Sequence, residues 1–143
     1  MSVESFPGGE VWFAWCDGCA LPNPGRIGLG GVLLAPDQRR HEFSEAAGRS
    51  GCNNEAEARA LLSLLRHAKA LGARALVVHS DSDVVVRLAP LFAELREAMR
   101  AFVSLELKWL PQHRNQQADG LARAALGLPP RAPAKPRNGR SRR

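Results

Sequence analysis

One long amphipathic run, residues 54–71, divides this sequence into two unlike halves. Ala58, Leu61, Leu62, Leu65 and Ala68 recur at the spacing of a helix with one buried face. Gly72 marks its stop, because glycine readily takes the left-handed backbone that ends helices. The half before it reads as strands. Residues 11–16, 27–35 and 40–47 are short and apolar or alternating. They are parted by Asp17-Gly18, Pro22-Asn23-Pro24-Gly25 and Pro36-Asp37, which are turn-forming by composition. Gly28, Gly30 and Gly31 inside the second run predict the close approach of another backbone or a ligand.

The half after the helix alternates. A strand is expected at 75–79, helices at 83–89 and 91–102 parted by Pro90, a strand at 104–110 and a helix at 116–126. This order predicts an α/β fold with a five-stranded mixed sheet. Three antiparallel strands precede parallel βαβ units, with right-handed crossovers and helices on both faces.

The 143 residues suit one domain, and a hydrophobic content of 45% supports a core. The longest apolar runs are too short to span a bilayer. Residues 1–9 carry neither a basic nor an apolar leader segment. The expectation is a cytoplasmic protein without a membrane partner. The three cysteines, an odd number, fit a reducing compartment. Cys16 and Cys19 have C-x-x-C spacing but no second pair to complete a zinc site, so they read as small core residues.

The net charge of +6 is carried entirely beyond Gly127, by Arg131, Lys135, Arg137, Arg140, Arg142 and Arg143. Pro129, Pro130, Pro133 and Pro136 lie among them. The expected organisation is an extension at 1–9, a folded domain at 10–127 and a disordered basic tail at 128–143. The tail either contacts phosphates non-specifically or serves solubility.

Four acids stand at suggestive places. Asp17 follows the first strand, where an Asp-Gly turn is the plain reading. Glu57 stands in line with Leu61 and Leu65, on the buried stripe of its helix. A buried carboxylate there needs a cation. Glu55 faces elsewhere and is expected to be solvated. Asp81 follows Leu76-Val77-Val78, past the C-terminal end of a central strand, where α/β sheets place their sites. Asp83 is the better helix-cap candidate, which leaves Asp81 free. Asp119 lies in the first turn of the last helix, where the helix dipole alone would favour it. Together the four suit divalent cations, which take oxygen ligands and activate water against a phosphodiester. Without metal, at least one of their pKa values should rise.

At this point the sequence resembles the type 1 ribonuclease H family, over residues 11–126. The resemblance is carried by Asp17-Gly18 with Asn23-Pro24-Gly25, by Asn53-Asn54 with Glu57, by Ser80-Asp81-Ser82, and by Ala118-Asp119-Gly120-Leu121-Ala122-Arg123-Ala124-Ala125. It implies a ribonuclease H-like fold and an RNA–DNA hybrid substrate. It implies that Asp17, Glu57, Asp81 and Asp119 bind two Mg²⁺ or Mn²⁺ ions. Hydrolysis of the RNA strand would leave a 5′-phosphate and a 3′-hydroxyl. Asn23, Asn53 and Asn54 would lie along the minor groove, where 2′-hydroxyls distinguish RNA from DNA. For these asparagines, turn and N-cap duty is the alternative.

The sequence departs from the family's usual form in three places. Cys52 and Glu55 replace a Thr and an Arg that help hold the DNA strand. The basic, tryptophan-bearing protrusion before the last strand is absent, which implies weaker hybrid binding. The segment before the final Asp is compressed to Pro111-Gln112-His113-Arg114-Asn115. His113 is the candidate there for proton transfer, with Arg114, or no residue, as alternatives. His41, His67 and His79 read as structural or exposed, and Trp12, Trp15 and Trp109 as core packing. The expected protein is a monomeric endonuclease. The competing readings are a non-catalytic nucleic-acid-binding module on the same fold and a related nuclease with another substrate.

Overall fold

The computed structural model describes residues 10–132. The expectations for residues 1–9, and for most of the basic tail, lie outside them.

Five strands form one sheet: Val11–Leu21 (β1), Gly25–Leu34 (β2), Arg40–Gly51 (β3), Ala75–Ser80 (β4) and Ser104–Trp109 (β5). Their spatial order is β3-β2-β1-β4-β5. β1 pairs antiparallel with β2, and β2 with β3. β4 runs parallel to both β1 and β5. This is the expected mixed sheet, with β1 central because it joins the meander to the βαβ half.

The helices are Asn53–Ala70 (α1), Asp83–Leu88 (α2), Ala93–Met99 (α3) and Gln116–Ala125 (α4). On α1, Leu61, Leu64 and Leu65 are at most 1% exposed and pack with Ala14, Cys16, Leu76 and Val78 of the sheet. Burying each leucine stabilises the fold by about 2 kcal/mol. Gly72 follows α1 with φ 92°, the left-handed stop its type suggests. The helix expected at 91–102 is shorter, because Pro90 lies in a 3₁₀ turn, Ala89–Leu91, and Phe92 is extended.

α4 lies on the opposite face of the sheet. Side chains alternate along a strand, so Gly28 and Gly30 face away from Leu29, which joins the α1 core. A Cβ at Gly30 would strike the Ala118 carbonyl, and one at Gly28 the Ala122 carbonyl. These glycines therefore let a helix backbone rest on a strand, as their position in an apolar run suggests.

One strand boundary differs in a way that matters. Asp17-Gly18 does not turn the chain. β1 continues through it, pairing Asp17 with Gly30 and reaching Leu21 opposite Arg26. Gly18 serves close packing instead, since a Cβ there would collide with the Ala56 carbonyl of α1. Likewise β3 runs on to Gly51, past the end expected at residue 47.

Candidate active site

Three local features bring the acids together. Gly18 lets the first turns of α1 lie against β1, and its N–H donates to Glu57 Oε1 at 3.1 Å. The parallel register sets Cys16 opposite Ser80, so Asp17 and Asp81 follow side by side. Ala118 rests on Gly30, the ladder partner of Asp17, which delivers Asp119 to the same place.

Asp17, Glu57 and Asp81 each offer a carboxylate oxygen, and these oxygens lie within 4.8 Å of one another. Asp119 stands outside that trio. It lies close enough to Asp17 to raise that residue's pKa, while Arg131 Nε lies 3.2 Å from its Oδ2 and Nη2 lies 3.3 Å from its Oδ1. Asp17 and Asp119 are each only 4% exposed.

Burial raises the pKa of Asp17 far above the usual carboxylate range, and the neighbouring charges of Glu57 and Asp81 raise it further. Glu57 is raised by burial and by Asp81, against a lowering by the Gly18 N–H. These are the expected signs of carboxylates crowded without a counter-cation. The donor set is all oxygen and closely spaced, which fits a hard divalent cation. Asp17, Glu57 and Asp81 could hold one, with Asp119 at its margin.

Two residues at this site escaped the sequence reading. Asn115 is 1% exposed. Its Nδ2 donates to the Cys16 carbonyl at 2.9 Å and to Asp81 Oδ2 at 3.2 Å. Its place just before α4 suggests a helix cap, yet its side chain makes no cap hydrogen bond. Arg131 presents itself in the sequence only as one of the tail charges. Trp109 corrects another expectation. It is 53% exposed rather than part of the core, and its Nε1 donates to the Asp81 carbonyl at 3.2 Å.

Asn23 and Asn53 meet beside the end of β1. Asn53 Oδ1 accepts from the Ala20 N–H at 3.0 Å, and the Asn53 N–H donates to Asn23 Oδ1 at 3.1 Å. Asn54 is exposed. None of the three is the α1 cap, which falls on Cys52 without a side-chain bond. Glu55 is not simply solvated: Arg49 and Arg59 flank it at 3.3 and 2.9 Å. Ser82, not Asp83, caps α2 by accepting from the Val85 N–H.

His113 lies on the 3₁₀ turn Gln112–Arg114 and shares a cleft of ≈ 330 Å³ with Gln116, Asp119 and Arg131. The other histidines are structural. His79 Nδ1 lies 2.9 Å from the Ala14 carbonyl, His67 Nε2 2.7 Å from Glu45, and His41 stacks on Trp12. Cys16 and Cys19 are free and buried, and their odd spacing puts them on opposite faces of β1, in separate apolar clusters.

The family model described as Reverse transcriptase-like matches residues 15–125. A putative hydrolase, EbsB, of Enterococcus faecalis is 33% identical over 125 residues, covering 78% of this chain and 91% of that protein. Ribonuclease HI of Halobacterium salinarum is 30% identical over 137 residues, covering 87% of this chain and 68% of that protein. The bifunctional protein Rv2228c of Mycobacterium tuberculosis is 33% identical, and the match spans only 34% of its length. Among solved structures, RNase H1 of Halobacterium salinarum superposes with a TM-score of 0.76 at 27% identity, covering 82% of this chain and 98% of that one. LC11-RNase H1, solved in complex with an RNA/DNA hybrid, superposes with a TM-score of 0.73 at 26% identity, covering 81% and 96%.

Proposed function

Because the chain belongs to the reverse transcriptase-like family, with ribonucleases H among its relatives and structural neighbours, we propose that its four acids form the active site of a ribonuclease H. The reaction is hydrolysis of the RNA strand of an RNA–DNA hybrid, leaving a 5′-phosphate and a 3′-hydroxyl. The observation that carries the site assignment is the convergence of Asp17, Glu57 and Asp81 from a strand, a helix start and a strand end.

These three acids, with Asp119, would hold two divalent cations, Mg²⁺ or Mn²⁺. Such ions, when bound, supply water activation and stabilisation of the leaving oxygen. The chain's own part is positioning. The β1 ladder fixes Asp17, the Gly18 N–H fixes Glu57, and Asn115 with Trp109 fixes Asp81 from its side chain and its backbone. Asn23, Asn53 and Asn54 form an adjoining polar edge suited to RNA 2′-hydroxyls. His113, in the cleft beside Asp119, is the candidate for moving a proton or releasing product. The basic residues beyond Arg131 add phosphate attraction.

The test is cleavage of a labelled RNA–DNA hybrid with Mg²⁺ or Mn²⁺, beside Asp17→Asn. Wild-type cleavage of the RNA strand, lost in the variant, is expected. Equal cleavage by both proteins would overturn the catalytic assignment. Equal cleavage of hybrid, RNA duplex and DNA duplex would overturn the substrate.

A further inference from the structure

Arg131 is the first basic residue after Gly127, and the segment that carries it does not leave the body directly. Gly127 has φ 76°, which turns the chain back at the end of α4. Leu128 then packs beside Cys19, Ala122 and Leu126. Arg123 Nε donates to the Pro129 carbonyl at 2.8 Å. These two anchors seat the segment against α4 and bring the Arg131 guanidinium to Asp119.

We infer that Arg131 is a resident counter-cation for Asp119, which an incoming divalent ion must displace. The inference rests on reading Asp119 as a metal ligand. Both carboxylate oxygens of Asp119 are engaged by the guanidinium fork, at 3.2 and 3.3 Å. A ligand must offer at least one oxygen to an ion. Among the described residues, Asp119 is the one acid of the four with an ion pair. Among the described residues, Asp17, Glu57 and Asp81 are crowded together without an ion pair, whereas Arg131 pairs with the fourth acid.

The pair is lopsided, and that decides its strength. The Asp119 side chain is 6% exposed, but that of Arg131 is 53% exposed. Water therefore screens the guanidinium and can receive it when it leaves. A pair with one partner half exposed to screening water weakens a competing cation modestly, by up to about fivefold.

Calorimetric titration of the full chain with Mn²⁺ tests this. Arg131→Ala should bind Mn²⁺ more tightly than wild type, by up to about fivefold. Arg123→Ala, which releases the segment's second anchor, should shift affinity in the same direction. The gain should vanish in an Asp119→Asn background, because the competition acts through that carboxylate. Unchanged or weaker binding by Arg131→Ala would overturn the inference. So would an equal gain in Arg100→Ala, which removes the same charge from the end of α3, or a gain that persists in Asp119→Asn. Mn²⁺ binding that survives Asp17→Asn would sink the site reading itself. Loss in Asp17→Asn with no change in Arg131→Ala would sink only the role of Arg131.

Discussion

Asn115 joins the middle of β1 to the end of β4: its Nδ2 lies 2.9 Å from the Cys16 carbonyl and 3.2 Å from Asp81 Oδ2. The amide thus ties the orientation of the Asp81 carboxylate to the backbone that carries Asp17. Removing it leaves a buried carbonyl without its donor, which costs about 1–3 kcal/mol. Outer partners of this kind also change metal affinity or activity by about 10–100-fold. Asn115→Ala should therefore lower the urea midpoint, weaken Mn²⁺ binding and reduce hybrid cleavage together. Full Mn²⁺ affinity in a folded Asn115→Ala protein would contradict the positioning role.

Gly18 and Gly120 make a matched pair. A methyl at Gly18 meets the Ala56 carbonyl, so Gly18→Ala must push α1 away and Glu57 with it. Overpacking of this sort costs about 1–3 kcal/mol. Gly120 lies inside α4 with nothing within 4 Å of a Cβ. Gly120→Ala should stabilise the protein by up to about 1 kcal/mol through helix propensity. Equilibrium unfolding in urea reads both, and equal effects would contradict the packing argument.

The acid cluster sets a pH slope in the metal-free protein. Glu57 rises from 4.5 to about 8 on folding, chiefly through burial and then through Asp81. Between those values the native state holds more protons than the unfolded state. Stability therefore falls as pH rises through this window. In EDTA the urea midpoint should be higher at pH 5.5 than at pH 8.5. Mn²⁺ should reverse or flatten the trend, and Glu57→Gln should reduce it. A metal-free midpoint that rises across this range would contradict the cluster's electrostatics.

Cys52 caps α1 with extended dihedrals, φ −90° and ψ 172°, but contributes no side-chain hydrogen bond. A hydroxyl at this position can accept from the first-turn N–H groups. Cys52→Thr should stabilise the protein by about 1 kcal/mol, read as a higher urea midpoint. No gain would mean that the Asn53 contacts to Ala20 and Asn23 hold the first turn in a geometry a hydroxyl does not reach.

The element order was legible because periodicity is local. Leu61 and Leu65 mark the buried side of α1, and Leu76-Val77-Val78 marks a central strand, whatever lies around them. Glu57 was legible for the same reason, as an acid on an apolar stripe. The Asp17-Gly18 boundary was not, because local composition favours a turn while packing of α1 on Gly18 decides for a strand. Asn115 was hidden because its partners are 99 and 34 residues away in sequence. Trp109 was hidden because apolar type alone does not say that β5 ends in solvent beside Asp81. Arg131 looked like one charge among six, and only the fold shows that the chain turns back after Gly127.

The passage of β1 straight through Asp17 assigns unequal freedoms to the four acids. Asp17 sits within a ladder that runs from Phe13 to Leu21 against β2. Asp81 lies one residue beyond its strand, and Glu57 and Asp119 stand near the starts of helices. A change in cavity size, ion or substrate can then be met by small shifts of the latter three. Asp17 is the fixed datum from which they are displaced. Substitutions that retune this site should accumulate around Glu57, Asp81 and Asp119, and leave the strand beneath Asp17 untouched.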